Sequence, residues 1–336
     1  MNPSTPGPAA RRKKGRRDMK ISLLEPLGVS DALIRELSAP IVAQGHEFLY
    51  YPEKTTDLEE LKRRSAGCEV VMIANNPYPA PVILAADRLK LLNVAFTGID
   101  HVDADACRAK GVTVCNAANY SNQTVAELVI GMTIALLRKT AEGDRAVRSG
   151  GTSAGLRGRE ICGRTVGVIG LGRIGLITAR LFLAFGARVI AHDPHESEAA
   201  KALGIAYVGL EELMRRSDII TLHTPNNAST RGLISRQLIA AMQPHAIFTN
   251  CARGPIVDNA ALADALNAGA IAGAGIDVYD MEPPLPADYP LLHAKNTLLT
   301  PHVAFLSDES MIRRAHIAFQ NTLAYLAGRP ENVCSL

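Results

Sequence analysis

The sequence predicts an α/β protein of two domains, each built on a parallel sheet, and three observations carry that prediction. Short apolar runs alternate with amphipathic stretches from Met19 onward, the pattern of strands joined by crossover helices. The alternation falls into two series separated by a glycine-rich joint containing Gly150, Gly151, Gly155 and Gly158. The second series opens on an apolar run that leads straight into a glycine-rich turn and then a helical pattern. A length of 336 residues suits two domains of ordinary size.

In chain order, the first series places strands at 20–24, 46–50, 69–74, 92–96 and 112–115. Helical periodicity fills the gaps, as at 30–37 and 57–65. One long helix is expected over 122–148, its apolar face formed by Val125, Leu128, Val129, Met132, Ala135 and Leu136. The second series places strands at 165–169, 188–192, 218–222, 246–250, 272–276 and 297–299. A last helix near 308–327 is not needed by the second sheet and is expected to return to the first domain. The first domain is then discontinuous, 19–118 with 305–336, and 119–304 is an insertion.

Composition narrows the function. Hydrophobic residues make up 47% of the chain, yet no run of apolar residues is long enough to span a bilayer. Tryptophan is absent and aromatics reach only 4%, against a stacking platform for nucleic acid. Six basic side chains and the single acid Asp18 put +5 on residues 1–18, leaving −2 for the rest out of a total of +3. The basic character belongs to this tail, whose Pro, Gly, Ser and like charges predict disorder. A solvated extension is the plain reading of it; nucleic-acid attachment or nuclear targeting is the sharper one. The six cysteines show neither a CxxC pair nor regular spacing, which indicates buried thiols in a reducing cytoplasm rather than zinc ligands or disulfides.

The turn reads Gly170-Leu171-Gly172-Arg173-Ile174-Gly175, after the strand Thr165–Ile169. In strand–turn–helix context this spacing marks a dinucleotide site. Gly170 permits the tight turn, Gly172 the approach of a pyrophosphate, and Gly175 the packing of helix on strand. The helix N-terminus offers unpaired N–H groups to the phosphates. Asp193, at the end of the next strand, can accept hydrogen bonds from ribose hydroxyls and would repel a 2′-phosphate, which favours NAD over NADP.

Three further strand ends present chemistry: Arg253 after 246–250, Glu282 beyond 272–276, and His302 after 297–299. Ligands of open α/β sheets bind at that edge. An arginine fork can hold a substrate carboxylate and polarise the neighbouring C2 oxygen. A histidine can pass the hydroxyl proton, and a carboxylate beside it orients the ring and favours its protonated form. Taken singly, each could be a cap or an ion-pair residue. Together, beside a nucleotide motif, they fit hydride transfer at a carbon next to a carboxylate.

These motifs give the chain its likeness. From about Met19 to Val333 it resembles the NAD-dependent D-isomer-specific 2-hydroxyacid dehydrogenases. The resemblance rests on Phe96-Thr97-Gly98-Ile99-Asp100-His101-Val102-Asp103, Thr124–Leu128, Gly167–Gly175 and His223-Thr224-Pro225. It continues in Asn250-Cys251-Ala252-Arg253-Gly254, in Gly275–Tyr279 with Glu282-Pro283, and in Thr300-Pro301-His302. It implies a Rossmann-like cofactor domain inserted into a flavodoxin-like substrate domain, a homodimer, and catalysis by Arg253, Glu282 and His302. It further implies that Arg173 and Ile174 touch the pyrophosphate, that Thr224, Pro225 and Cys251–Arg253 (with Ala252 between) line the cofactor site, and that Asp277 bonds the nicotinamide carboxamide.

The same resemblance gives the substrate carboxylate to the backbone of the loop Ala74-Asn75-Asn76-Pro77-Tyr78. Asn75, Asn76 and Tyr78 are the side chains there that could contact substrate; the alternative is a plain Pro-containing turn. Many relatives carry arginine near the loop's start, where Ile73 and Ala74 stand here. A phosphorylated substrate therefore has less charge compensation, and a short 2-keto or 2-hydroxy acid is expected ahead of 3-phosphoglycerate. An NADH-sensing, corepressor-like protein on the same scaffold is the alternative from another class. A relative acting on another small anion is a third, and Glu282 disfavours the formate enzymes, which resemble this pattern but carry Gln there.

Overall fold

A computed structural model describes residues 18–336. The expected disorder of the basic tail therefore concerns residues that, Asp18 apart, lie outside the described ones. The chain divides into two compact units, residues up to Tyr120 with Met311–Leu336, and Ser121–Ser310.

The first unit holds strands β1 (Lys20–Leu23), β2 (Glu47–Tyr50), β3 (Val70–Ile73), β4 (Leu91–Val94) and β5 (Thr113–Asn116). They pair in the order β2-β1-β3-β4-β5, every pair parallel. All residues of β3 and β4 are buried, because helices cover both faces of a parallel sheet and leave no polar side to the strands. The core gathers Ile21, Leu23, Val70 and Met72 with Ala315, Ala318 and Phe319 of the last helix, Asp308–Leu326.

The second unit contains β6 (Thr165–Ile169), β7 (Arg188–His192), β8 (Ala206–Tyr207), β9 (Ile219–Leu222), β10 (Ile247–Asn250), β11 (Gly273–Ile276) and β12 (Thr297–Leu299). Their order is β12-β11-β10-β9-β6-β7-β8, again parallel throughout. Strand order reverses between β1 and β3 in one sheet and between β6 and β9 in the other. These switch points are where open α/β sheets take ligands.

Two expectations need correction. Strand β8 is absent from the sequence reading, because a two-residue edge strand carries no periodicity. The long helix over 122–148 is interrupted, forming Asn122–Arg138 and Thr140–Arg148 with Lys139 left-handed between them at φ 51°. The cause lies downstream. Arg159 N–H donates to the Leu137 carbonyl at 2.9 Å, Gly158 packs on the same carbonyl, and Lys139 Nζ reaches the Gly155 carbonyl at 2.9 Å. The returning loop takes the acceptor that a continuing helix would need. Among the described residues, no helix is long and apolar enough to cross a membrane.

Candidate active site

Each glycine of the turn after β6 is required for a different reason. Gly170 has φ +87°, and a Cβ there would lie 2.8 Å from the His223 carbonyl carbon and 2.9 Å from Thr224. A Cβ on Gly175 would collide with the Gly170 carbonyl oxygen, so the helix Arg173–Ala184 can approach β6 only without a side chain at that point. Gly172 faces open space, with nothing within 4 Å. That helix has no side-chain N-cap, which leaves first-turn N–H groups and the positive dipole end available to an anion.

Asp193 braces the same turn. Its Oδ2 accepts the Leu171 N–H at 2.7 Å and its Oδ1 the His195 N–H at 2.8 Å; each oxygen keeps a lone pair for another donor. Across the turn, Thr224 Oγ1 and Asn226 Oδ1 are buried without a hydrogen-bond partner. Buried polar atoms are rarely left so unless something else completes them. Beside them His223 is neutral, burial having pushed its pKa down to about 3, with Nε2 2.9 Å from Thr221 Oγ1.

The second cluster forms beyond β10, β11 and β12. Asn250 folds the loop that carries Arg253: its Oδ1 accepts the Ala252 N–H at 2.9 Å and its Nδ2 donates to the Arg253 carbonyl at 3.0 Å. Gly254 lies so close to the backbone of Tyr279 and Asp280 that any Cβ would overlap it. Asn259 Nδ2 donates to Asp280 Oδ1 at 2.8 Å, and the Tyr289 hydroxyl to Asp280 Oδ2 at 3.0 Å. The loop of Arg253 is thereby tied to the loop that leads into Glu282.

His302 Nδ1 lies 2.9 and 3.0 Å from the two carboxylate oxygens of Glu282. The imidazole and the Phe305 ring stand nearly perpendicular, centroids 5.5 Å apart. His302 has φ 55°, a left-handed conformation, and the neighbouring backbone shows what holds it there. Asp277, fully buried, accepts Thr300 Oγ1–H at 2.6 Å and the N–H groups of Val303 and Ala304 at 2.8 and 2.9 Å. Its carbonyl accepts the His302 N–H at 2.8 Å. Glu282 itself is 73% exposed, so water screens its charge while the bond geometry still sets the ring.

In the first unit the candidate substrate loop faces partly inward. Tyr78 is fully buried and its hydroxyl donates to Ser65 Oγ at 2.8 Å. The expectation that Tyr78 touches substrate is thus corrected: the ring belongs to the core. Asn76 is buried too, its Nδ2 donating to the Thr55 carbonyl at 2.9 Å. Ala74 and Asn76 give their N–H groups to Glu25 Oε1 at 2.7 and 3.0 Å. Only Asn75 and Pro77 of the loop are exposed.

The model of the NAD binding domain of D-isomer specific 2-hydroxyacid dehydrogenases matches residues 130–304. The chain belongs to that family. It is 37% identical over 319 residues to the glycerate dehydrogenase of Methylorubrum extorquens, covering 90% of this chain and 95% of that protein. It is 39% identical over 251 residues to the D-3-phosphoglycerate dehydrogenase of Mycobacterium leprae, covering 74% of this chain and 47% of that protein. Among solved structures, the TT0316 protein of Thermus thermophilus superposes with a TM-score of 0.84 at 32% identity, covering 94% of this chain and all of that one.

As a member of this dehydrogenase family the chain is an NAD-dependent oxidoreductase acting on CH–OH donors. Its own residues fit the cofactor: an open side at Gly172, an uncapped helix end, and unpartnered polar atoms on Thr224 and Asn226. Arg173 and Ile174 open that helix. Cys251 turns its thiol into the core, 3.8 Å from Met132 Sδ, so only its backbone can line a ligand site. Sequence reasoning quoted Gly254 without giving it a role and missed Asn259 and Asn226. It also missed the duty of Asp277 in holding the His302 segment. A glycine directly after the arginine and a buried acid at a strand end were the available signals.

Proposed function

We propose that this dehydrogenase interconverts a small D-2-hydroxy acid and its 2-keto acid, with Arg253, Glu282 and His302 as its catalytic residues. The observation that carries the reading is the double approach of Glu282 to His302 Nδ1, in the same unit as the glycine turn. With Nδ1 held by the carboxylate, Nε2 is the atom that passes a proton to or from the C2 oxygen. Arg253 binds the substrate carboxylate and polarises the C2 oxygen with its planar fork. Bound NAD supplies the hydride donor or acceptor. Asp193 favours NAD, since its carboxylate would meet a 2′-phosphate with like charge.

NADH oxidation with a panel of 2-keto acids tests this. His302→Ala is expected to lower turnover about a thousandfold while NADH still binds, the scale of a lost general acid. NADH binding without turnover of any keto acid would instead leave a sensing protein. Turnover intact at saturation in the variant would remove His302 from the chemistry.

A homodimer is part of the proposal. Helix Thr140–Arg148 buries none of its residues and Val147 is 75% exposed, as expected of a face that a second copy covers. Sedimentation that reads a monomer at micromolar concentration would overturn it. The free cysteines, four of them buried, suit a reducing compartment such as the cytoplasm.

A further inference from the structure

The second unit holds a cavity of about 480 Å³ that the proposed chemistry does not use. Ile247, which opens β10, bounds it, as do Ala272 just ahead of β11 and Asn296 just ahead of β12. It therefore sits at the amino edge of the sheet. The glycine turn, Arg253, Glu282 and His302 all follow the carboxyl ends of strands, at the opposite edge. The facing wall comes from the interruption of the long helix. Lys139 is left-handed there, and the returning loop is pinned to it. A Cβ on Gly158 would lie 2.5 Å from the Leu137 carbonyl oxygen, which also accepts the Arg159 N–H. Backbone contacts thus frame the space.

Three cations line the cavity, Lys139, Arg157 and Arg159. Lys139 Nζ donates to the Gly155 carbonyl at 2.9 Å and Arg159 Nη1 to the His245 carbonyl at 2.6 Å. Those bonds fix two of the side chains but cancel no charge. Arg157 makes no hydrogen bond or ion pair among the described residues. The one acid on the wall is Glu142, which already has Arg145 at 3.8 Å. Three positive charges less one negative leave +2 on the lining.

A dianion matches that count, and a phosphate monoester carries nearly two charges at neutral pH. Arginine forks grip its oxygens in pairs. The volume falls in the range of small-molecule pockets and exceeds what a bare phosphate fills. Leu136, Leu156, Ile247 and Ile271 supply an apolar remainder of the wall, which favours an apolar body on the same ligand. Val147, offered above to a second copy, lies five residues beyond Glu142 and so about 140° around the helix. The cavity and that face are different surfaces.

We propose that this cavity is a second ligand site, taking a phosphate monoester with a compact apolar body. It is separate from the dinucleotide site and stands whether or not the proposed substrate is right.

Calorimetric titration of the NADH-saturated full chain with phenyl phosphate tests it, with inorganic phosphate and malonate as the comparison anions. Phenyl phosphate should bind one site per chain, about tenfold more tightly than inorganic phosphate because of its ring and more tightly than the dicarboxylate malonate. Arg157→Ala should weaken phenyl phosphate about tenfold, the loss of one charge-assisted bond. It should leave Tm and NADH affinity unchanged, since Arg157 has no partner to lose. Arg157→Lys should recover part of the affinity through charge alone, and added salt should weaken the wild type more than Arg157→Ala. Absence of binding, binding that NADH displaces, or affinity undiminished in Arg157→Ala would overturn the site. Malonate binding as tightly as phenyl phosphate would overturn the phosphate class, and inorganic phosphate doing so would overturn the apolar body.

Discussion

The two units place different chemistry at the same topological position. After β6, the first strand of its sheet, the chain turns through glycines into a helix whose N-terminus has no side-chain cap. After β1, the first strand of the other, the turn carries Glu25, and the next helix, Asp31–Ala43, is capped by Ser30 Oγ accepting the Leu33 N–H at 3.3 Å. One switch point leaves N–H groups open to an outside anion. The other fills its nearby N–H groups with an internal carboxylate. Topology offers each sheet a ligand edge, and a few residues decide whether that edge binds a dinucleotide or props up a loop.

The contrast can be broken first at its glycine side. Gly175→Ala puts a methyl against the Gly170 carbonyl and forces helix and strand apart. NADH affinity, read by fluorescence titration, should fall about a hundredfold, the upper range for overpacking a tight contact. Unchanged affinity would mean that the turn does not hold the cofactor.

Glu25 gives the intermediate effect. Glu25→Leu strands the Ala74 and Asn76 N–H groups and should destabilise the protein by roughly 1–3 kcal/mol in denaturant unfolding. Glu25→Gln keeps an acceptor and isolates the charge. The folded carboxyl titrates above its ordinary 4.5. Its contribution is therefore full below that value and fades as pH rises through the folded pKa, because the native state holds the proton longer. The wild type should lose stability relative to Glu25→Gln across that window. A constant difference would show that the carboxyl is not perturbed. The smallest effect is expected from Ser30→Ala, about 1 kcal/mol of stability with NADH binding untouched.

Much of this was legible in the sequence, because parallel strands buried on both faces announce themselves as apolar runs. Val70–Ile73 and Ile219–Leu222 are buried throughout and stand out as such. The glycine turn and the meeting of Glu282 with His302 were legible for a related reason: strand ends are local features. The direction of a loop side chain is not. Asn75 and Asn76 are the same residue in adjacent positions, yet one is exposed and the other fully buried. Tyr78 goes inward because Ser65 waits for its hydroxyl, and Lys54 meets Asn75 across 21 residues. The stop at Lys139 depends on Arg159. Such contacts exist only once the fold has brought distant segments together.

The helix Asp308–Leu326 runs continuously across the boundary between Ser310 and Met311. That sets a rule for recombination among relatives. The unit bearing Arg253, Glu282 and His302 is a cassette with one joint at Tyr120–Ser121 and the other inside a helix. A crossover that inserts or deletes one residue at the second joint rotates everything after it by about 100°. Ala315, Ala318 and Phe319 would leave the core of the first unit. Chimeras that trade substrate loops should therefore tolerate length changes in surface loops but must conserve the count of residues through this helix.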